Sequence, residues 1–221
     1  MPNSRKHLHW WALGLAAAVT LACSAPSAND ASDDAGEDSS GGGYLESLPT
    51  FDPVEHSGEG DSVIPLDGIT QAMLTASHDG EHYFSIAGLD DGNEPTLDLP
   101  VNAIGAYEGT TVIGMNEDGT TSLQITADGA WTITLAPLAS APALPEGGTG
   151  DGVFTYEGDA ATWAVKHEGE HYFSLFEYTG ESFDMGMLAT EIGAYDGEVP
   201  AEAGPAVVVV QADGAWTITP K

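Results

Sequence analysis

Two histidines four residues apart bracket an acidic turn, His78-Asp79-Gly80-Glu81-His82, and the arrangement returns as His167-Glu168-Gly169-Glu170-His171. Both copies match H-x-x-E-H, a spacing found in zinc peptidases. That chemistry needs the two imidazoles on one face of a helix, so that both reach one metal. Here a glycine sits at the centre of each copy, and the flanking residues alternate as strands do. The helix the mechanism requires is missing. Imidazole is nonetheless the commonest metal ligand, so His78, His82, His167 and His171 stand as candidate rim ligands. The plainer reading is a turn whose histidines pack at the rim of a sheet.

Hard oxygen donors crowd two loops. Asp90, Asp91, Asn93 and Glu94 lie in one, and Glu117 and Asp118 in the other. Calcium favours such donors, but neither loop has the EF-hand spacing. The second copy has Tyr178-Thr179-Gly180-Glu181 at the place of the first cluster. Turn chemistry and a solvated acidic surface account for the same residues. No cofactor is expected, calcium being the possible exception. Trp131, Trp216, Tyr107 and Tyr195 could stack on sugars. Alternation instead sets each Trp on the same face as Ile133 or Ile218, in a core, and each Tyr reads as a corner residue whose hydroxyl ties a loop to backbone. No nucleophile triad, phosphate loop or dinucleotide fingerprint is present.

The elements that must position these residues come as a duplication. His82-Tyr83-Phe84-Ser85 returns as His171-Tyr172-Phe173-Ser174, Ile104-Gly105-Ala106-Tyr107 as Ile192-Gly193-Ala194-Tyr195, and Asp128-Gly129-Ala130-Trp131 as Asp213-Gly214-Ala215-Trp216, at offsets of 89, 88 and 85 residues. Three blocks in one order are the mark of a repeated module. Within each copy the apolar period is two: Leu123 and Ile125, or Trp131, Ile133 and Leu135, alternate with small and polar residues. Short runs of Val, Ile, Thr, Tyr, Phe and Trp broken by Asp-Gly, Glu-Gly and Pro predict an all-β fold of two tandem antiparallel β-sandwich domains. About seven strands per copy are expected, in copy one near 62–66, 70–77, 82–88, 96–100, 110–115, 121–126 and 130–135. Leu74, Ala76, Phe84 and Ile86 are apolar together, as are Trp163, Val165, Phe173 and Leu175. Parity then predicts an antiparallel hairpin across 78–82, with Gly80 left-handed and His82 and His171 toward the core.

The repeated step Gly105-Ala106-Tyr107-Glu108-Gly109 and the closing Asp128-Gly129-Ala130-Trp131-Thr132-Ile133 resemble a β-sandwich module of secreted bacterial proteins and lipoproteins. The resemblance covers 60–136 and 150–221 and implies no established activity. Upstream, Arg5 and Lys6 precede an apolar run at residues 10–22. As a helix it would be roughly 20 Å long, short of a ~30 Å hydrocarbon core. Its end, Val19-Thr20-Leu21-Ala22-Cys23, resembles the bacterial lipoprotein signal. That implies lipidation of Cys23 as the new N-terminus, with ordinary cleavage after Ala25 as the competing route. The expected organisation is therefore a signal peptide at 1–22, a disordered acidic tether at 23–59, module one at 60–136, a Pro/Ala/Gly linker at 137–149 and module two at 150–221. The function expected is a non-catalytic, lipid-anchored protein on the extracytoplasmic face of the cell membrane. Its modules would bind or present an envelope ligand or protein. Calcium binding is the alternative, and an envelope enzyme the least favoured.

Charge excludes other classes. The 221 residues carry 35 Asp and Glu against 4 Lys and Arg, a net charge of −31. Such a chain has no basic face for nucleic acid and no polybasic segment for a membrane surface. Its single cysteine cannot form an internal disulfide. Residues 60–136 hold twelve carboxylates and no Lys or Arg, and like charges weaken a compact state. Isolated module one should therefore melt higher as sodium chloride rises from millimolar to molar, since salt screens charges over about 10 Å at roughly 0.1 M. Calcium and magnesium should act alike if screening is the whole effect. A calcium preference of about tenfold would instead mark a built site, and a melting temperature indifferent to both would dismiss the repulsion.

Overall fold

The computed structural model describes residues 43–115, 119–180 and 186–221. Cys23, Glu117 and Asp118 lie outside them. A short helix α1 (Tyr44–Ser47) leads into β1 (Val54–Glu59), β2 (Ser62–Pro65), β3 (Ala72–His78), β4 (Tyr83–Leu89), β5 (Val101–Ile104), β6 (Tyr107–Ile113), β7 (Ser122–Thr126) and β8 (Ala130–Ala136). A single 3₁₀ turn, Leu138–Ser140, comes next. The second copy then supplies β9 (Gly147–Thr149), β10 (Gly152–Tyr156), β11 (Ala161–His167), β12 (Tyr172–Tyr178), β13 (Met187–Ile192), β14 (Tyr195–Ala201), β15 (Ala206–Ala212) and β16 (Ala215–Pro220). No helix among the described residues is long and apolar enough to cross a membrane.

Each module is a sandwich of two four-stranded antiparallel sheets. Module one has the orders β1-β8-β3-β6 and β2-β7-β4-β5, and module two repeats them as β9-β16-β11-β14 and β10-β15-β12-β13. The period-two pattern sends Leu74, Ala76, Phe84, Ile86, Leu123, Ile125, Trp131 and Ile133 into one core. Trp163, Val165, Phe173, Leu175, Trp216 and Ile218 fill the other. Trp131 and Trp216 are thus core residues, as is Trp163.

Several expectations are corrected. The strands flanking 78–82 do not form a hairpin. β3 pairs with β6 and β8, β4 pairs with β5 and β7, and the short connection 79–82 crosses from one sheet to the other. Parity assigned the buried faces properly, because the inner faces of two stacked sheets satisfy the same pattern as one face of a hairpin. The histidines are reversed: alternation along β3 buries His78, and along β11 His167, while His82 and His171 are exposed. The strand expected at 96–100 is displaced to Val101–Ile104. Asp98 points inward and accepts from the Gly114 amide (3.2 Å) and the Thr120 hydroxyl (2.6 Å), which turns Leu97 and Leu99 outward.

Eight strands per module replace seven because β1 and β9 come from segments read as tether and linker. They carry a fourth repeated block, Gly58-Glu59-Gly60-Asp61 and Gly148-Thr149-Gly150-Asp151. Gly58 and Gly148 lie against the rings of Trp131 and Trp216, where a Cβ would come within 2.5 Å of the indole. The indole N–H groups donate to the Gly60 carbonyl (2.9 Å) and the Gly150 carbonyl (3.0 Å). Tyr44–Ser47 and Val54–Glu59 are thus folded within the segment expected to be disordered.

A third core joins the modules. Val153, Val207 and Val209 on the outer face of module two pack with Met73, Val112 and Met115 of module one, and Leu48, Leu138 and Ala141 close the contact. β15 is consequently buried at five consecutive residues, Ala206 to Val210, as a strand covered on both faces must be. Its counterpart β7, Ser-Leu-Gln-Ile-Thr, alternates because one face is not covered. The segment 137–149 is a packed strap rather than a bare linker, and Leu138 is 1% exposed. Module one is thus not free-standing in this chain, so its salt dependence is also to be read on the whole protein. Leu138→Ala should destabilise the full chain by about 2–5 kcal/mol in denaturant unfolding, the usual cost of emptying a buried leucine site. A passive linker would give a change near zero.

Candidate functional site

The histidine motif closes the crossing between the sheets. In module one the turn between β7 and β8 presents Asp128. Its carboxylate accepts from the backbone amides of Glu81 (3.1 Å) and His82 (3.1 Å) and from Nδ1–H of His82 (2.8 Å). Its other oxygen stands 3.4 Å from Nε2 of the buried His78. His78 donates through Nδ1 to the Gly105 carbonyl (3.0 Å) and stacks on Phe84 with centroids 4.4 Å apart. Module two repeats the device. Asp213 accepts from the amides of Glu170 and His171 (3.0 Å each) and from His171 Nδ1–H (2.9 Å), while His167 donates to Gly193 and stacks on Phe173.

The central glycine is required by contact. A Cβ on Gly80 would sit 2.2 Å from the Asp128 carboxylate and 2.5 Å from His78 Nε2, and one on Gly169 would meet Asp213 and His167 in the same way. Gly80 is not among the left-handed residues, contrary to the turn expected from sequence. Each His pair therefore gathers about an aspartate, on a strand end and a loop rather than on a helix. Among the described residues, no three His, Cys, Asp or Glu side chains are grouped to hold a metal. In the loop expected to favour calcium, Asp90 accepts from the amides of Gly92 and Glu94 (2.8 Å each) and so caps its own turn. Asp91, Asn93 and Glu94 point to solvent.

The junction of the modules holds a different arrangement. Tyr107 does not tie a loop to backbone. Its hydroxyl donates to the Asp151 carboxylate of module two (2.7 Å), whose other oxygen accepts from the Ala212 amide (2.9 Å). Burial pushes the Asp151 carboxyl above its ordinary value, against the pull of both hydrogen bonds. Burial, then the Asp151 charge, pushes the Tyr107 phenol up. Beside this bridge runs a groove of about 820 Å³, walled by Leu99, Ile104 and Glu108 of module one and by Asp151, His171 and Tyr172 of module two. Ile104 is 86% exposed, Leu99 51% and Tyr172 49%. Sequence reasoning missed these apolar residues. The available signal was parity within the repeated blocks, since Tyr172 neighbours the inward Phe173 and must face out.

The chain matches no family model, and no curated protein is similar to it in sequence.

The clamp carries a pH dependence. The hydrogen bond from His82, helped by the Glu81 and His82 amides and opposed by desolvation, lowers the Asp128 carboxyl from 3.8 to about 2. A carboxyl depressed in the fold stabilises it above its unfolded value, so this contribution is complete above about pH 4 and is lost as the pH falls toward 2. Asp128→Asn should melt below wild type near neutral pH, and the gap should narrow across that acid window. A gap that stays constant with pH would show that the carboxylate's charge plays no part.

Proposed function

We propose that this chain is an exported, lipid-anchored protein of the bacterial cell envelope, whose two non-catalytic modules act as one binding unit at the end of an acidic tether. The observation that carries the binding reading is the groove at the module junction, where exposed apolar side chains and carboxylates from both modules converge. Pockets assembled between domains are common places for ligands. The histidines, the residues best suited to catalysis, are taken up in closing the sheet crossings. This favours binding over turnover.

The anchor reading rests on Cys23 at the end of the apolar run and on the charge of the segment after it. Residues 24–59 contain nine acidic groups and no Lys or Arg. Two acyl chains give stable membrane attachment where one is marginal. Mature protein should begin at Cys23 and fractionate with membranes, and Cys23→Ser should be released or left unprocessed. Recovery of wild type as a soluble protein with an unmodified N-terminus at Pro26 would overturn the anchor.

A further inference from the structure

We propose that the groove between the modules receives an extended basic peptide, which adds a strand to the open edge of β5 and lays its cations against the groove carboxylates. The inference rests on the binding reading above and names the chemistry of the partner.

The backbone argues first. β5 is the last strand of its sheet, and among the described residues no strand pairs with its outer side. The Gly105 amide donates to the His82 carbonyl (2.6 Å), and β4 and β5 stay in register from Tyr83↔Ile104 to Ile86↔Val101. Antiparallel pairing alternates, so Val101 and Ala103 direct their peptide groups to β4. The N–H and C=O groups of Asn102 and Ile104 are left on the open edge, beside the groove. An extended peptide satisfies such groups by strand addition. Four residues of edge span about 13 Å, enough to hold a short strand in register.

The side chains argue next. Ile104, Leu99 and Tyr172 leave apolar surface in the groove that the fold does not cover. Alternate side chains of an added strand would cover it, since successive residues point to opposite faces.

Charge selects the partner. Glu108, Asp151 and Asp213 line the groove. Module one contains no Lys or Arg, and the two lysines of module two are engaged elsewhere: Lys166 with Asp196 at 2.9 Å and Lys221 with Glu198. His171 on the same wall is already bonded to Asp213, and Asp151 to Tyr107 and the Ala212 amide, so a cation to match Glu108 must come from the ligand. Complementary charge also speeds capture and rejects acidic competitors.

The test is fluorescence anisotropy on the full chain with a labelled octapeptide alternating lysine and valine. Binding in the micromolar range that weakens with salt is expected. Ile104→Arg and Glu108→Lys should each weaken it by about tenfold or more, as the loss of a central contact does. Both positions are exposed, so melting curves should show these variants folded. The same peptide N-methylated at alternate residues should lose binding to a similar degree, and its glutamate-for-lysine counterpart should not bind. Equal binding of the glutamate peptide, indifference to N-methylation, or wild-type affinity in both variants would each overturn the proposal. Failure here with wild type retained on membranes removes the peptide and keeps the anchored protein. Peptide binding by a chain found soluble does the reverse.

Discussion

One carboxylate in each module holds the chain where it passes between sheets. Asp128 and Asp213 sit in the turn before the last strand and accept amides from a crossing that is distant in sequence and only a few residues long. A short loop that changes sheets cannot satisfy its own peptide groups, and leaving them bare near the core would cost free energy. The carboxylate supplies the acceptors, orients the exposed histidine and leaves room only for glycine beneath it. The placement of β4 depends on this crossing, as does β5 beside it and the edge that β5 turns to the groove.

The two copies share this device and differ where they meet. β15 is a run of Val because both of its faces are covered, whereas β7 places Gln124 on the face that module two does not reach. Tyr107 finds its acceptor in Asp151, the residue whose counterpart Asp61 caps only the Ala127 amide of its own module. Asp151 thus performs the inherited task, on Ala212, and adds a bond across the junction. Duplication produced two equal closures. The copies differ in the side chains at the junction, where Val153, Val207 and Val209 of one meet Met73, Val112 and Met115 of the other, and a groove lies between the halves.

Acidity is consistent with this division of labour. Ordinary ion pairs are absent from module one, which has no Lys or Arg, so its cohesion comes from apolar packing, aromatic stacking on His78 and carboxylates that accept amides. Asp61, Asp98 and Asp128 are each used this way. A carboxylate bonded to amides keeps its charge at little cost, which lets a strongly anionic chain build a close-packed interior.

The sequence by itself determined the duplication, the all-β class and the inward residues of β3, β4, β7 and β8 and of their copies β11, β12 and β16, because a pleated strand buries every second side chain whatever it pairs with. It also marked the histidine turn as the densest chemistry in each module. Tertiary structure alone decided whether that turn joined two neighbours in one sheet or crossed between two sheets, since both arrangements bury Leu74 and Phe84 alike. It decided that Gly58 and Gly148 belong to strands: a Gly- and acid-rich segment has no apolar period, and its place is set by an indole that a distant strand brings against it. It decided that Asp98 points in and Leu99 out, because an internal acceptor for Gly114 and Thr120 outweighed the burial of two leucines. The groove was illegible for the same reason. Its walls are contributed by residues far apart in the chain, and their meeting depends on the packing of Val207 and Val209 against another module, a contact that no local pattern encodes.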